Sequence, residues 1–126
     1  MVKAKDENSY IVAEVWTDRD TYAKYLESGI DSVFNFDFAD ASGIIANAVK
    51  GTSESGAKGY ANVCGKMDEL LSQYNENYID APFYTNHDMA RGAGYYSGEY
   101  KAAQIKTAGA MNLMMSENAF LYYGEE

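Results

Sequence analysis

The chain has 126 residues, 47% hydrophobic and 23% charged, a composition that supports one buried core and excludes a disordered chain. A formal net charge of −9 lacks the Lys/Arg surplus that phosphate neutralisation needs, which excludes nucleic acid and fits an uncharged or cationic ligand, or plain solubility. The single cysteine, Cys64, rules out an internal disulfide, and no apolar run reaches the roughly 18 residues that span a membrane.

The first residues, Met1-Val2-Lys3-Ala4-Lys5-Asp6, carry no apolar stretch of the signal-peptide kind. Tyr10-Ile11-Val12-Ala13-Glu14-Val15-Trp16 then reads as part of a strand over residues 9–16 that delivers a carboxylate near its end. A helix is expected over 18–28, N-capped by Thr17 or Asp18 and stopped by Gly29. Ser32-Val33-Phe34-Asn35-Phe36 is a short strand by its β-branched and aromatic content. A helix over 39–50 leads into the Gly/Ser-rich loop 51–56. The clearest helix spans 59–77, where Val63, Met67, Leu70, Leu71, Tyr74 and Tyr78 recur at spacings of 4, 3, 1, 3 and 4 to make one apolar stripe. Cys64 sits on that pattern as a small core residue.

Pro82 is expected to open the next strand, because a missing N–H is best tolerated there, and the run ends in Asn86-His87-Asp88. Gly92, Gly94 and Gly98 punctuate a loop. A helix over 99–117 turns Ala102, Ile105, Ala108, Met111 and Met115 inward, with Met111, Met114 and Met115 as core filler. A last strand covers 119–123. Strands alternating with helices imply right-handed crossovers and a parallel sheet, open or closed into a barrel. Neither G-x-G-x-x-G nor G-x-x-x-x-G-K-[ST] occurs, so nucleotide binding lacks its usual support.

Two of these strands end on acids, and parallel α/β sheets build their sites at the C-terminal ends of strands. Glu14 lies beside Val15-Trp16, and a carboxyl kept dry by an indole holds its proton more tightly, as a general acid must. The plainer reading is a strand-end glutamate in a local ion pair. His87 and Asp88 stand where a strand meets its loop, and the plainer reading there is an aspartate capping the next turn beside a partly buried histidine. His87 is the only histidine, so the paired spacing of a zinc helix is absent, and no G-x-S-x-G elbow supplies a serine nucleophile. Twelve tyrosines suit a groove for polar, ring-shaped ligands, and they equally suit half-buried helices.

Taken in order, four segments resemble the α-amylase family of retaining glycoside hydrolases (family 13). Ala13-Glu14-Val15-Trp16 is similar to the segment ending barrel strand five, and Asp31-Ser32-Val33-Phe34-Asn35-Phe36 to strand six. Phe83-Tyr84-Thr85-Asn86-His87-Asp88, followed by Arg91, is similar to strand seven, and Phe120-Leu121-Tyr122-Tyr123-Gly124-Glu125-Glu126 to the strand-eight ending. The resemblance implies an α/β fold, a parallel β/α half-barrel corresponding to strands five to eight of a TIM-type barrel, with residues 1–126 one partial catalytic domain and no second domain. It implies that Glu14 protonates the glycosidic oxygen and later activates water, and that Asp88 holds sugar hydroxyls and stabilises the oxocarbenium-like transition state. His87 would hydrogen-bond the sugar, Trp16 would offer an aromatic face near the acceptor sugar, and Asn86 and Arg91 would orient the site. Ala13 stands where the family commonly has Gly.

The same resemblance sets expectations for what lies outside the chain. The family nucleophile is an Asp on strand four, so this chain by itself is expected to be catalytically incomplete. No cofactor is expected in it, and the family's calcium sites belong to other segments of a full-length parent. The implied ligand is an α-glucan or maltooligosaccharide. A full barrel runs to roughly 250 residues, so half of one leaves open edges and an uncovered apolar face. The expected assembly is therefore a homodimer of half-barrels or association with the missing N-terminal half, with no membrane partner. The alternative is a non-catalytic half-barrel that serves as a carbohydrate-binding or assembly module. Parents of this kind are often secreted or cell-surface, and the chain itself carries no address.

Overall fold

The structure, a computed structural model, describes residues 2–51, 56–115 and 118–125. Most of the Gly/Ser-rich loop expected over 51–56, and the end of the helix expected to reach 117, lie outside the described residues.

Three short strands pair in parallel, in the order β1 (Val12–Ala13), β2 (Ser32–Asn35) and β3 (Ala81–Pro82). Val12 stands opposite Ser32 and Ala13 opposite Val33, then Phe34 opposite Ala81 and Asn35 opposite Pro82. One further parallel bridge, Phe83 to Phe120, continues the sheet on its far side. Between the strands run α1 (Arg19–Ala23), which tightens into a 3₁₀ segment over Lys24–Ser28, then α2 (Ile44–Lys50) and α3 (Ala57–Ser72). Helix α4 (Lys101–Met114) precedes the last bridge. The alternation anticipated from sequence is thus present, with the parallel pairing that helical crossovers require.

Strand parity divides the residues into two faces. Ala13, Val15, Val33, Pro82 and Tyr84 fall on the helix side, and all but Pro82 pack in the main core. Tyr22 from α1, Leu26 from the 3₁₀ segment that follows it, Ile45 from α2, Met67 and Leu71 from α3, and Ala108 from α4 fill that core at 2% exposure or less. Full burial of side chains as large as Met67 or Leu71 contributes roughly 2 kcal/mol each. Glu14, Phe34, Phe36, Phe83, Thr85 and Phe120 fall on the other face and line a single cleft.

Several boundaries differ from the sequence expectation, each for a tertiary reason. The strand expected over 9–16 is only Val12–Ala13, the two residues that pair with Ser32 and Val33 of β2. The helix expected from residue 39 starts at Ile44. The Asp40 backbone N–H donates to the Tyr84 carbonyl at 3.0 Å, and Asp40 takes the left-handed φ of 71°, which no helix can include. Pro82 ends its strand instead of opening it: pairing to β2 stops at Pro82, and Phe83 takes Phe120 on the other side. The helices expected over 59–77 and from 99 run over Ala57–Ser72 and from Lys101. The last strand is reduced to the Phe120 bridge. Ala102 is exposed and Met114 is 84% exposed, so neither fills the core, whereas Met111 and Met115 do pack against it.

The helix stop at Gly29 is as expected: its φ of 82° is the left-handed conformation that glycine adopts without strain. Asp18 is the N-cap of α1, its carboxylate accepting from the Thr21 N–H at 3.0 Å and the Thr21 hydroxyl at 2.8 Å.

Candidate active site

The cleft on the strand face has a volume of about 210 Å³. Its floor is aromatic. Phe34 meets Phe83 and Phe120 edge-on, with ring centroids 5.6 and 4.8 Å apart, and Phe36 meets Phe83 edge-on at 5.0 Å. These contacts are geometrically favourable quadrupole pairings and hold the floor in one shape. Period-two spacing in Phe34-Asn35-Phe36 puts both phenylalanines on this face, a signal available in the sequence although no role was read from it.

Polar groups stand at the rim. Glu14 lines the cleft from the end of β1, and Asn86 and His87 line it from the loop after β3. The cleft therefore brings together three of the six residues singled out from sequence. Asp88, Trp16 and Arg91 are outside its lining. Asp88 joins it through His87, with Nε2 to Oδ2 at 3.4 Å and the two side chains 73% and 47% exposed. Its backbone N–H donates to Asn86 Oδ1 at 2.9 Å, an Asx turn that fixes the start of the loop. Trp16 is stacked on Phe36, with centroids 4.8 Å apart and planes 18° from parallel, and is 66% exposed. Glu14 is exposed as well, so the dry setting expected from the neighbouring indole is absent.

Arg91 lies over two rings, its guanidinium carbon 3.8 Å from the Tyr123 centroid and 4.8 Å from that of Tyr122, and it donates to the Tyr123 carbonyl. Sequence reasoning assigned nothing to Thr85 or Glu125. Thr85 is buried at 2% exposure on the cleft face and its hydroxyl donates to Glu125 Oε1, while Glu125 Oε2 accepts from the Tyr122 N–H at 3.1 Å. Behind the loop, Tyr84 is buried and donates to the Tyr96 hydroxyl at 2.9 Å; burial first, then the neighbouring Tyr96, pushes its own hydroxyl pKa up.

Among the described residues no three His, Cys, Asp or Glu side chains converge as a metal set. Chemically, an apolar floor with a carboxylate on one rim and an amide and imidazole on the other suits a ligand with flat apolar faces and hydroxylated edges.

Comparison with known proteins places this geometry in a family. The Alpha-amylase family, described as "Alpha amylase, catalytic domain", matches residues 1–126. A curated relative, Alpha-amylase 3 of Dictyoglomus thermophilum, is 32% identical over 117 residues, covering 93% of this chain and 22% of that protein. Among solved structures, Eubacterium rectale Amy13B superposes with a TM-score of 0.94 at 51% identity, over 98% of this chain and 24% of that one. An alpha-amylase from H. orenii superposes with a TM-score of 0.76 at 33% identity, over 97% of this chain and 24% of the other. The chain thus spans about a quarter of the length of the relatives it matches, and its parallel strands and helices are part of a TIM-type barrel.

Proposed function

The chain belongs to the Alpha-amylase catalytic-domain family, and from that premise we propose that it carries the acid–base and transition-state-stabilising part of a retaining glycosidase centre acting on α-glucans. The observation that supports this reading is the cleft itself: Glu14 on one rim, Asn86 and His87 on the other, above the floor of Phe34, Phe36, Phe83 and Phe120. In the proposed reaction Glu14 donates a proton to the glycosidic oxygen as the C–O bond breaks. The sugar passes to a carboxylate nucleophile that this chain does not supply. Glu14 then takes a proton from the water that releases it. Asp88, held beside His87, engages sugar hydroxyls and offsets the positive charge that develops on the ring. Trp16 offers its exposed face to the acceptor sugar, and Arg91 orients the loop.

The test joins this chain to the nucleophile-bearing barrel segment of a relative and assays maltooligosaccharide hydrolysis. The reading requires turnover from the joined protein and none from either part. Sugar binding without turnover after joining would instead favour the non-catalytic carbohydrate-binding module.

A further inference from the structure

The loop carrying Asn86, His87 and Asp88 is held at both ends by one short segment. At its start, the Thr85 hydroxyl donates to Glu125; at its far end, Arg91 donates to the Tyr123 carbonyl and lies on the Tyr122 and Tyr123 rings. Glu125 is itself held, because its second oxygen accepts from the Tyr122 N–H at 3.1 Å. Among the described residues no hydrogen bond from another element reaches the side chains of His87 or Asp88, so their directions are set through the backbone anchored at 85 and 91.

We propose that Thr85 and Glu125 are positioning residues that clamp the 86–88 loop to the 122–125 segment that follows the Phe120 bridge. The inference rests on the active-site reading of that loop. A carboxylate suits the task because it accepts from two donors at once: a side-chain hydroxyl from one loop and a backbone N–H from the other. Thr85 is 2% exposed, so a lost partner there is not replaced freely by water. Glu125→Gln preserves both contacts, since its carbonyl oxygen still accepts from Tyr122 and its amide donates to a Thr85 hydroxyl that has reversed. Thr85→Val keeps the shape and removes the hydroxyl.

The experiment is ¹⁵N relaxation on the full 126-residue chain, without sugar and then titrated with maltoheptaose, for Thr85→Val, Thr85→Ser, Glu125→Ala and Glu125→Gln. In the Val and Ala variants, backbone order parameters at 86–88 are expected to fall from about 0.85 to below about 0.6, while Val33 in β2 stays rigid. Maltoheptaose affinity is expected to weaken roughly tenfold, the cost of ordering the loosened loop on binding. The Ser and Gln variants are expected to match the unaltered chain. Unchanged order at 86–88 in the Val and Ala variants would overturn the clamp. So would a loss of order that extends to Val33, because the role would then be general stability. If order responds as expected but the unaltered chain binds no maltoheptaose, the clamp stands and the α-glucan reading of the cleft fails.

Discussion

Asn35 donates its side-chain amide to both oxygens of Asp80, at 3.0 and 3.3 Å, while its own carbonyl oxygen accepts from the Tyr22 hydroxyl at 3.0 Å. This chain of polar groups ties α1 to β2 and to the residue that precedes β3, inside the layer between sheet and helices. Burial pushes the Asp80 carboxyl up to about 6; the hydrogen bonds from Asn35 and the Ala81 backbone oppose that shift, and the charges of Asp37 and Asp68 add to it.

A pH dependence follows. The folded state keeps a proton on Asp80 that the unfolded chain gives up near its ordinary value of 3.8, so stability falls as pH rises from about 4 to about 6 and then levels. The full effect is about 3 kcal/mol. Asp18 and Asp31 are held low, Asp18 chiefly by hydrogen bonds from Thr21 and Asp31 by those from Lys3 and Ile11 against burial; their contributions therefore vary below this window. Asp80→Asn keeps an acceptor for Asn35 and removes the charge. Urea denaturation at pH 4, 5, 6 and 7.5 is expected to show the variant gaining on the parent as pH rises. Parallel curves for the two proteins would rule Asp80 out as the source.

Tyr22→Phe removes the hydroxyl that satisfies the buried Asn35 oxygen and leaves the ring in place. Tyr22 is 1% exposed and Asn35 0%, so the expected loss is about 1–3 kcal/mol, the cost of a buried acceptor left unpaired. A thermal midpoint equal to that of the parent would mean that water reaches this site.

Two glycines separate close approach from mere flexibility. A Cβ at Gly92 would stand 2.4 Å from Tyr84 Cε1, so Gly92→Ala is expected to cost about 1–3 kcal/mol through overpacking. Gly65, exposed within α3, has nothing within 4 Å of its Cβ direction, and Gly65→Ala is expected to stabilise by roughly 0.5–1 kcal/mol. Calorimetry on both variants checks the pair, and equal shifts of the same sign would contradict the packing at Tyr84.

The role proposed for Glu14 predicts that Glu14→Gln lowers kcat of the joined protein by roughly 10²–10⁴-fold while maltooligosaccharide still binds. Asp88→Asn is expected to lower kcat more than it raises KM, since its proposed charge stabilisation is greatest in the transition state. Full activity in Glu14→Gln would transfer the acid–base role to another group.

The sequence alone determined the alternation of strands and helices, the helix stop at Gly29 and the arrival of Glu14 and Asn86-His87-Asp88 at the ends of apolar runs. These features are local: they depend on hydrophobic period, on a residue free to take positive φ, and on a change from apolar to polar within a few positions. The ordered segments also carried the family resemblance, because the order of short motifs is itself a property of the chain. Tertiary structure decided the rest. Asp40 leaves the helix because the Tyr84 carbonyl draws its N–H away, and Pro82 ends β3 because the sheet changes partners there. Trp16 stacks on Phe36, and Glu14 is exposed. Asp80 finds Asn35 45 residues away, and Thr85 finds Glu125 40 residues away. Residue spacing cannot encode pairs at such separations, since their meeting depends on which strands become neighbours and which face each side chain takes when the sheet assembles.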